Sequence, residues 1–486
     1  MPKPNSPHST FPLNNSYLSL PDAFYSKLNP TPVKQPEWVL LNEALLEALE
    51  LSSYSKDELL GMLSGSELPE GSTPFAQAYA GHQFGGFTML GDGRAILLGE
   101  QLTSTGERFD IQLKGSGRTP YSRRGDGRAT LKSMLREYLM SEAMYYLGIP
   151  SSRSLAVVKT GEPVYRESVQ EGAVLTRVMQ SHIRVGTFEY AWYFGTESDL
   201  ESLLDYTIDR HFPALKTSEN PALAFLEEVM RRQVSLVVEW MRVGFIHGVM
   251  NTDNTSISGE TFDYGPCAFM NVYHPGTVFS SIDTGGRYAF GKQPGIIKWN
   301  MVKLAETLLP LIDPVEDQAV DKAIEVIKQF DFHFTHQWYA MMFGKIGLEA
   351  PTVADRALVD ELLALMQASE LDYTHTFLHL SQQLPADVSF ARQSLEAWQE
   401  KWLKRITEQP GGPEAARALM KQHNPVLIPR NMHVEQVLDR AAYGDMGLFH
   451  KLLSALKSPY EYQEAHRVFL DFDPSYDDAY QTFCGT

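Results

Sequence analysis

The chain changes character once along its length. From Gly71 to about residue 180, glycines crowd in and short apolar runs alternate with turn residues; beyond that, apolar residues recur at helical spacing. A β-rich block followed by helices, without βαβα alternation, excludes a doubly wound parallel sheet. It predicts an α+β molecule of two lobes, with an N-terminal arm and a helical C-terminal extension. The boundaries expected from this pattern are 1–70 for the arm and a first helix over Glu37–Leu63, 71–180 for the β-rich lobe, 181–345 for the mainly helical lobe and 346–486 for the extension. Within the β-rich lobe, Phe87–Leu90 and Ala95–Leu98 read as strands joined by a Gly-Asp-Gly turn. Phe109–Lys114 and Gly172–Met179 read as further strands, and Leu155–Lys159 with Val164–Arg166 as a hairpin around Gly161-Glu162-Pro163. Ala129–Leu147 is a strong amphipathic helix stopped by Gly148 and Pro150. Ala222–Val243 is a long helix without Gly or Pro, and Val320–Phe343 and Val353–Ala368 are later ones.

Charge and cysteine usage narrow the function. Over 486 residues, 42 basic and 60 acidic side chains give a net charge of −18. Such a surface on average repels phosphate backbones and anionic bilayers, so neither nucleic acid nor membrane is an expected partner. The two cysteines, Cys267 and Cys484, exclude a disulfide framework and a cysteine-rich zinc site. Together with an N-terminus that lacks a signal-peptide layout, they point to a cytoplasmic protein.

Four local features carry chemistry. Gly91-Asp-Gly93-Arg94 brings backbone amides and one cation together, as an anion-binding turn does, although a plain hairpin turn would look the same. Lys114 ends an apolar strand and Glu137 lies 23 residues later inside the amphipathic helix. A strand lysine oriented by a helix glutamate is how kinases hold phosphates; an ordinary surface ion pair is the alternative. Residues 114–136 carry seven cations and one acid, Asp126, interleaved with glycines. Donors of both backbone and side chain can there converge on a polyanion. Last, His247-Gly-Val-Met-Asn-Thr-Asp253-Asn254 follows the long helix directly, and Asp263-Tyr-Gly265 comes after eight intervening residues. Kinases place a nucleophile-steering Asp, an Asn and a second metal-binding Asp in this order, though here the first two are adjacent rather than five apart; a plain turn of Asp, Asn and Thr is the alternative. Arg177 in a strand and Arg184 after His182 are further phosphate-clamp candidates, with a structural role as the alternative.

Longer strings extend the match: Phe75-Ala-Gln-Ala-Tyr-Ala-Gly-His-Gln-Phe-Gly85, Leu113-Lys-Gly-Ser-Gly-Arg-Thr-Pro-Tyr-Ser-Arg123, Gly286-Arg-Tyr-Ala-Phe with Gln293-Pro, and Ile428-Pro-Arg-Asn. On these the chain resembles the selenoprotein O family over nearly its whole length. The resemblance implies an atypical protein-kinase-like fold in which ATP sits flipped, and transfer of AMP to Ser, Thr or Tyr hydroxyls of proteins. Asp253 would take the hydroxyl proton. Asn254 and Asp263 would hold Mg2+ or Mn2+, Asp263 also touching the nucleotide. Lys114, oriented by Glu137, would contact phosphates, and Gly91, Gly93, Arg94, Asp126, Gly127, Arg177 and Arg184 would line the nucleotide site. Many eukaryotic members carry selenocysteine where this chain has Cys484. That suggests a redox disulfide between Cys484 and Cys267, against the alternative of two independent thiols. Transfer of UMP, conventional phosphoryl transfer and a nonenzymatic pseudokinase scaffold are the competing functions.

Overall fold

The structure, a computed structural model, describes residues 13–69, 72–388, 390–473 and 475–483. Twelve strands are present among them: β1 (Tyr25–Lys27), β2 (Glu37–Leu41), β3 (Phe75–Gln77), β4 (Ala80–Gln83), β5 (Gly86–Met89), β6 (Ala95–Leu102), β7 (Arg108–Lys114), β8 (Ala129–Thr130), β9 (Arg153–Tyr165), β10 (Val169–Met179), β11 (Phe245–Ile246) and β12 (Ala268–Phe269). The main sheet runs β1-β3-β6-β7-β10-β9-β2, with β8 paired to β10. Every pairing in it is antiparallel.

Side-chain alternation gives this sheet two faces. Ile111 and Leu113 of β7 and Val174 and Val178 of β10 pack with Leu45, Leu46, Leu59 and Leu63 from helices Glu43–Ala48 and Lys56–Ser64. Gln112 and Lys114 therefore point the other way. On that side lies the helix Leu131–Tyr146, started by Thr130, whose side chain accepts from the Ser133 amide at 3.3 Å. Leu135 and Leu139 of this helix are fully buried beside Val157 and Leu175, each such side chain stabilising the fold by about 1.5–3 kcal/mol.

The helix Pro221–Arg242 is the spine of the second lobe; Asn220 caps its start and Gly244, at φ +76°, turns the chain out of it. The turn feeds β11, which pairs antiparallel with β12 through Phe245 and Phe269. Everything from His247 to Cys267 is thus one loop closed at its base by two short strands. After an irregular stretch over 270–289 the chain is mainly helical, through Gln293–Ile312 and on to Arg356–Ala368, Glu396–Glu408, Gly412–His423, Asn431–Ala442 and Gly447–Leu456. The molecule is α+β, as expected. No helix among the described residues is long and apolar enough to cross a membrane.

Several local expectations were wrong. Glu37–Leu41 is not helical; it is the edge strand β2, pairing with β9 from Glu37 opposite Lys159, and Asn42 then caps a separate helix. The leucine spacing there fits both periods until the cap is placed. Gly161-Glu162-Pro163 is not a hairpin turn. β9 runs straight through it, and Gly161 at φ +69° makes a bulge opposite Glu171 and Ala173. A Cβ at Gly161 would meet Gln35 Cβ at 2.6 Å, so only glycine fits. Residues of β5 and β6 flank the Gly-Asp-Gly turn without pairing with each other; β5 pairs with β4 in a sheet of two. Val320–Phe343 is divided into Glu316–Lys328 and Phe330–Lys345, and Val185–Phe194 and Tyr373–Leu380 are helices the spacing did not reveal.

Candidate active site

Lys114 sits at the end of β7, opposite Ala95 of β6 and Leu175 of β10. Its ammonium donates to Glu137 Oε2 at 2.6 Å and to Asp263 Oδ1. Arg177, on the next strand, donates to Glu137 Oε1 at 2.8 Å and 2.5 Å, and to Asp263 Oδ1 at 3.2 Å. Two cations from the sheet are therefore held by one carboxylate from the helix and one from the loop. Burial pushes the Glu137 carboxyl up, but Arg177 and Lys114 pull it below its ordinary value. Burial acts the same way on Asp263, and Lys114 and Arg177 override it, holding that carboxyl well below the usual range. Both acids are anions at neutral pH. The pair expected from spacing exists, and it is buried rather than the ordinary surface bridge.

These groups face a cleft of about 340 Å3. Its walls include Gly91, Gly93, Arg94, Lys114, Asp126, Gly127, Arg177, Arg184, Asp253 and Asp263, so ten of the residues singled out in the sequence meet around one space. Glu137 stands behind Lys114 rather than at the wall. Of the cation-rich segment, Lys114, Arg123 and Arg128 reach the cleft. Lys132 and Arg136 turn away, toward Glu435 and Asp439 of the C-terminal helices. Asp126 accepts from Arg166 at 2.8 Å at the rim.

Asp253 lies on the loop after β11, in the short helical turn Thr252–Asn254. Its Oδ1 is buried and meets no hydrogen-bond donor, while Oδ2 takes a long contact of 3.4 Å from Gln83 Nε2. Burial pushes its carboxyl up to about 7, against the opposing pull of Arg184. Arg184 Nη1 donates to the Asp253 carbonyl at 3.2 Å and its guanidinium lies 4.1 Å from the centre of the Tyr79 ring.

Asn254 donates its Nδ2 to the Val249 carbonyl at 3.0 Å, which leaves the oxygen end of the amide for a ligand. Asp263 adopts φ +64°, and its side chain is 38% exposed, toward the cleft. Asp263 lies on the cleft wall and Asn254 is not among the wall residues; an amide oxygen and a carboxylate are donor types that suit a divalent cation of the magnesium class, which takes its other ligands from water and phosphate. No group of three His, Cys, Asp or Glu with metal-cage geometry occurs among the described residues. The donor set therefore fits an ion brought in with a nucleotide better than one held by the protein alone.

Other residues at the site had no role assigned from sequence. His82 pairs with Glu189 through Nδ1, Glu189 Oε2 accepts from Thr252 Oγ1 at 2.5 Å, and the His82 amide donates to the same hydroxyl at 2.7 Å. Asp92 accepts from the Gln77 amide at 3.1 Å and from Gln112 at 3.3 Å under the Gly91–Gly93 turn. The signal for His82 and Gln83 was the string Phe75–Gly85, whose individual roles nothing local disclosed. Cys267 is a buried free thiol pushed up to about 12 by burial. Cys484 lies outside the described residues.

A strand lysine braced by a helix glutamate, an Asp-Asn loop behind a long helix and an Asp-Tyr-Gly loop after it define a kinase-like transferase acting on a nucleotide. A family model described as "Protein adenylyltransferase SelO" matches residues 7–457. Proteins named "Protein nucleotidyltransferase YdiU" are similar along their lengths. The one from Brevibacillus brevis is 53% identical, covering 97% of each chain, and that from Bacillus mycoides is 50% identical, covering 98% of each. The one from Syntrophotalea carbinolica is 52% identical over 97% of each chain. Among solved structures, ROP2 from Toxoplasma gondii, described as a virulence factor with a protein-kinase fold and no enzymatic activity, matches 68% of this chain and 84% of its own. That match has a TM-score of 0.22 at 14% identity, too distant to bear on the fold. The chain belongs to the SelO family of protein adenylyltransferases.

Proposed function

We propose that the chain transfers AMP from ATP to Ser, Thr or Tyr hydroxyls of proteins and releases pyrophosphate. The observation that carries this reading is the pairing of an unbonded, buried Asp253 oxygen with a wall of cations in one cleft. Asp253 accepts the proton of the incoming hydroxyl; a carboxyl raised to about 7 is matched to that exchange near neutral pH. Lys114, Arg177 and Arg184 take up the charge that grows on the departing pyrophosphate, and Arg94 with the glycine turns at 91–93 and 125–127 holds the rest of the nucleotide. Glu137 keeps Lys114 in place. A divalent cation, Mg2+ or Mn2+, held by Asn254 and Asp263, would supply further neutralisation of phosphate charge. ATP labelled at the α-phosphate should leave label on protein, whereas γ-label should leave as pyrophosphate. Retained γ-label would make the chain a phosphotransferase instead, and stronger labelling from UTP would make it a uridylyltransferase.

A cytoplasmic setting and a redox disulfide between Cys267 and Cys484 belong to the same reading. The described chain approaches Cys267 near its end, where the Thr482 hydroxyl donates to the Pro266 carbonyl at 2.6 Å. Burial pushes this thiol up to about 12, so its oxidation should be slow at neutral pH. Peptide mapping of diamide-treated protein without reductant tests the bond; two free thiols would sink it.

A further inference from the structure

Asp253 is the residue that must receive the hydroxyl proton, and it stands on a loop, where backbone is held less firmly than in a strand or helix. Two elements from elsewhere in the chain close on its turn, Thr252–Asn254. β4 passes so near that a Cβ at Gly81 would collide with the Asp253 carboxylate. The first turn of the helix Val185–Phe194 comes equally close. A Cβ at Gly186 would lie 3.2 Å from the Asp253 Cα and would strike the Ala80 carbonyl of β4. Beside it, the Val185 amide donates to the Thr255 carbonyl at 2.9 Å.

Glu189 joins these three pieces. It lies three residues beyond Gly186 and four beyond Val185, hence on the same face of the helix, and it is 1% exposed. One of its oxygens pairs with His82 Nδ1 of β4, and the other accepts from the Thr252 hydroxyl at 2.5 Å. That hydroxyl is used at both ends: its oxygen takes the His82 amide N–H at 2.7 Å, and its proton goes to Glu189. A carboxylate buried this deeply costs stability unless its oxygens are bonded. Among the described residues no Lys or Arg lies within ion-pair distance of it; its ion-pair partner is His82. Both of its bonds therefore run to the pieces that touch or carry Asp253.

We propose that Glu189 is a positioning residue for the transfer reaction: through Thr252 it holds the turn that aims the open Asp253 oxygen at the incoming hydroxyl. The proposal rests on the reading of Asp253 as the proton acceptor. Neither Glu189 nor Thr252 is among the residues of the cleft wall, so both act through Asp253 and not on the nucleotide. A reacting group displaced by about 1 Å loses on the order of 10²-fold in rate, which bounds what this linkage is worth. His82 has a share in the same task, since its amide and its ring hold Thr252 and Glu189 together from the side of β4.

The test compares full-length variants by the rate of AMP transfer from α-labelled ATP to proteins of a cell lysate, by the KM for ATP and by melting temperature. Thr252→Val keeps the shape and removes the hydroxyl, whereas Thr252→Ser keeps the hydroxyl. Glu189→Ala removes the carboxylate, whereas Glu189→Gln keeps an oxygen for Thr252 and offers its amide N–H to a neutral His82 Nδ1. Thr252→Val and Glu189→Ala should lower the maximal rate about 10–100-fold with the KM for ATP within about twofold, and Thr252→Ser and Glu189→Gln should restore it to within about threefold of wild type. Added to Asp253→Asn, Thr252→Val should slow transfer by no more than about twofold, because a residue that acts through Asp253 then has nothing left to position. Asp355→Ala controls for stability. It removes a carboxylate bonded to Arg405 in the C-terminal helices, and should lower the melting temperature with the rate within about twofold. The proposal is overturned if Thr252→Val and Glu189→Ala behave like Asp355→Ala, or if the loss in Thr252→Val multiplies with that in Asp253→Asn. Should Glu189→Ala fail to fold, the contrast between Thr252→Val and Thr252→Ser decides. A wild-type chain that labels lysate proteins while Thr252→Val does so equally well removes the positioning role and leaves the function standing; a wild-type chain that labels none removes both.

Discussion

Among the described residues seventeen buried side-chain nitrogen and oxygen atoms meet no hydrogen-bond partner, and Asp253 Oδ1 is the one carboxylate oxygen among them. A structural aspartate in a turn would use both oxygens on backbone amides; an acceptor for a substrate proton has to keep one open. Asp253→Asn preserves shape and removes basicity, so AMP transfer should fall about 10²–10⁴-fold, with ATP affinity within twofold by direct binding. Wild-type transfer rates in this variant would remove Asp253 from the chemistry. Glu260 has a separate consequence. Burial pushes its carboxyl up to about 7 from an ordinary 4.5, against hydrogen bonds from Ser258 and the Gln180 amide. The folded state thus binds this proton more tightly than the unfolded chain. The stability it contributes is complete below pH 4.5 and is lost as pH rises through about 7, by up to about 3 kcal/mol. Glu260→Gln should flatten that slope, read as melting temperature against pH; an unchanged slope would place the proton elsewhere. At this scale the spacing singled out Lys114, Glu137, Asp253 and Asp263, and the structure sets Glu137 against Lys114 and brings Lys114, Asp253 and Asp263 to one cleft. Gln83, His82 and Glu189 stayed hidden because their partners are far along the chain: Thr252 and Asp253 lie 170 residues from His82 and Gln83.

Elements were legible where one period ran uninterrupted. The helices Leu131–Tyr146 and Pro221–Arg242 have clear caps and stops, β7 has unbroken apolar alternation, and β10 ends in a continuous buried run. Short elements were not, since five residues such as Glu37–Leu41 satisfy either period and only the neighbouring strand decides. The glycine turns belong to a third case: their presence was plain and their pairing was not. Gly127 shows why they are glycine. It sits at φ +71°, its carbonyl accepts from the Gly117 amide at 3.0 Å, and a Cβ on it would drive into the Gly117 backbone. Gly127→Ala therefore has to open the loop that carries Arg123 and Arg128 to the cleft. The expected outcome is a rise of about tenfold or more in the KM for ATP, with the fold retained because the loop lies at the surface. An unchanged KM would show that the loop does not touch the nucleotide.

Across the whole molecule, the net charge of −18 hides a division of labour among cations. Some of the basic segment faces the cleft, while Lys132 and Arg136 bind the C-terminal helices instead. Arg136 adjoins Glu137 on the same helix. It donates to Glu435 at 2.8 Å, to the Gly265 carbonyl at 3.2 Å and to the Cys267 carbonyl at 2.7 Å. One guanidinium thus connects the helix that braces Lys114, the loop that carries Asp263 and the helix Asn431–Ala442, whose Glu435 also accepts from Tyr480 near the chain's end at 3.0 Å. No spacing rule reaches across the 299 residues between Arg136 and Glu435, so this connection was illegible in the sequence. Burial decides which of its ion pairs matters. Arg136 and Glu435 have side chains only 12% and 24% exposed, where a charge-assisted hydrogen bond contributes about 1.5–3 kcal/mol. Lys132 and Asp439 are 37% and 65% exposed, where a pair contributes about 1 kcal/mol at most. Glu435→Ala should therefore lower the transfer rate by about tenfold through displacement of Glu137 and Asp263, and Asp439→Ala should leave it within about twofold. Equal effects of the two substitutions would mean that the C-terminal helices only cover the site, and that Arg136 holds Glu137 in register through the loop carbonyls alone.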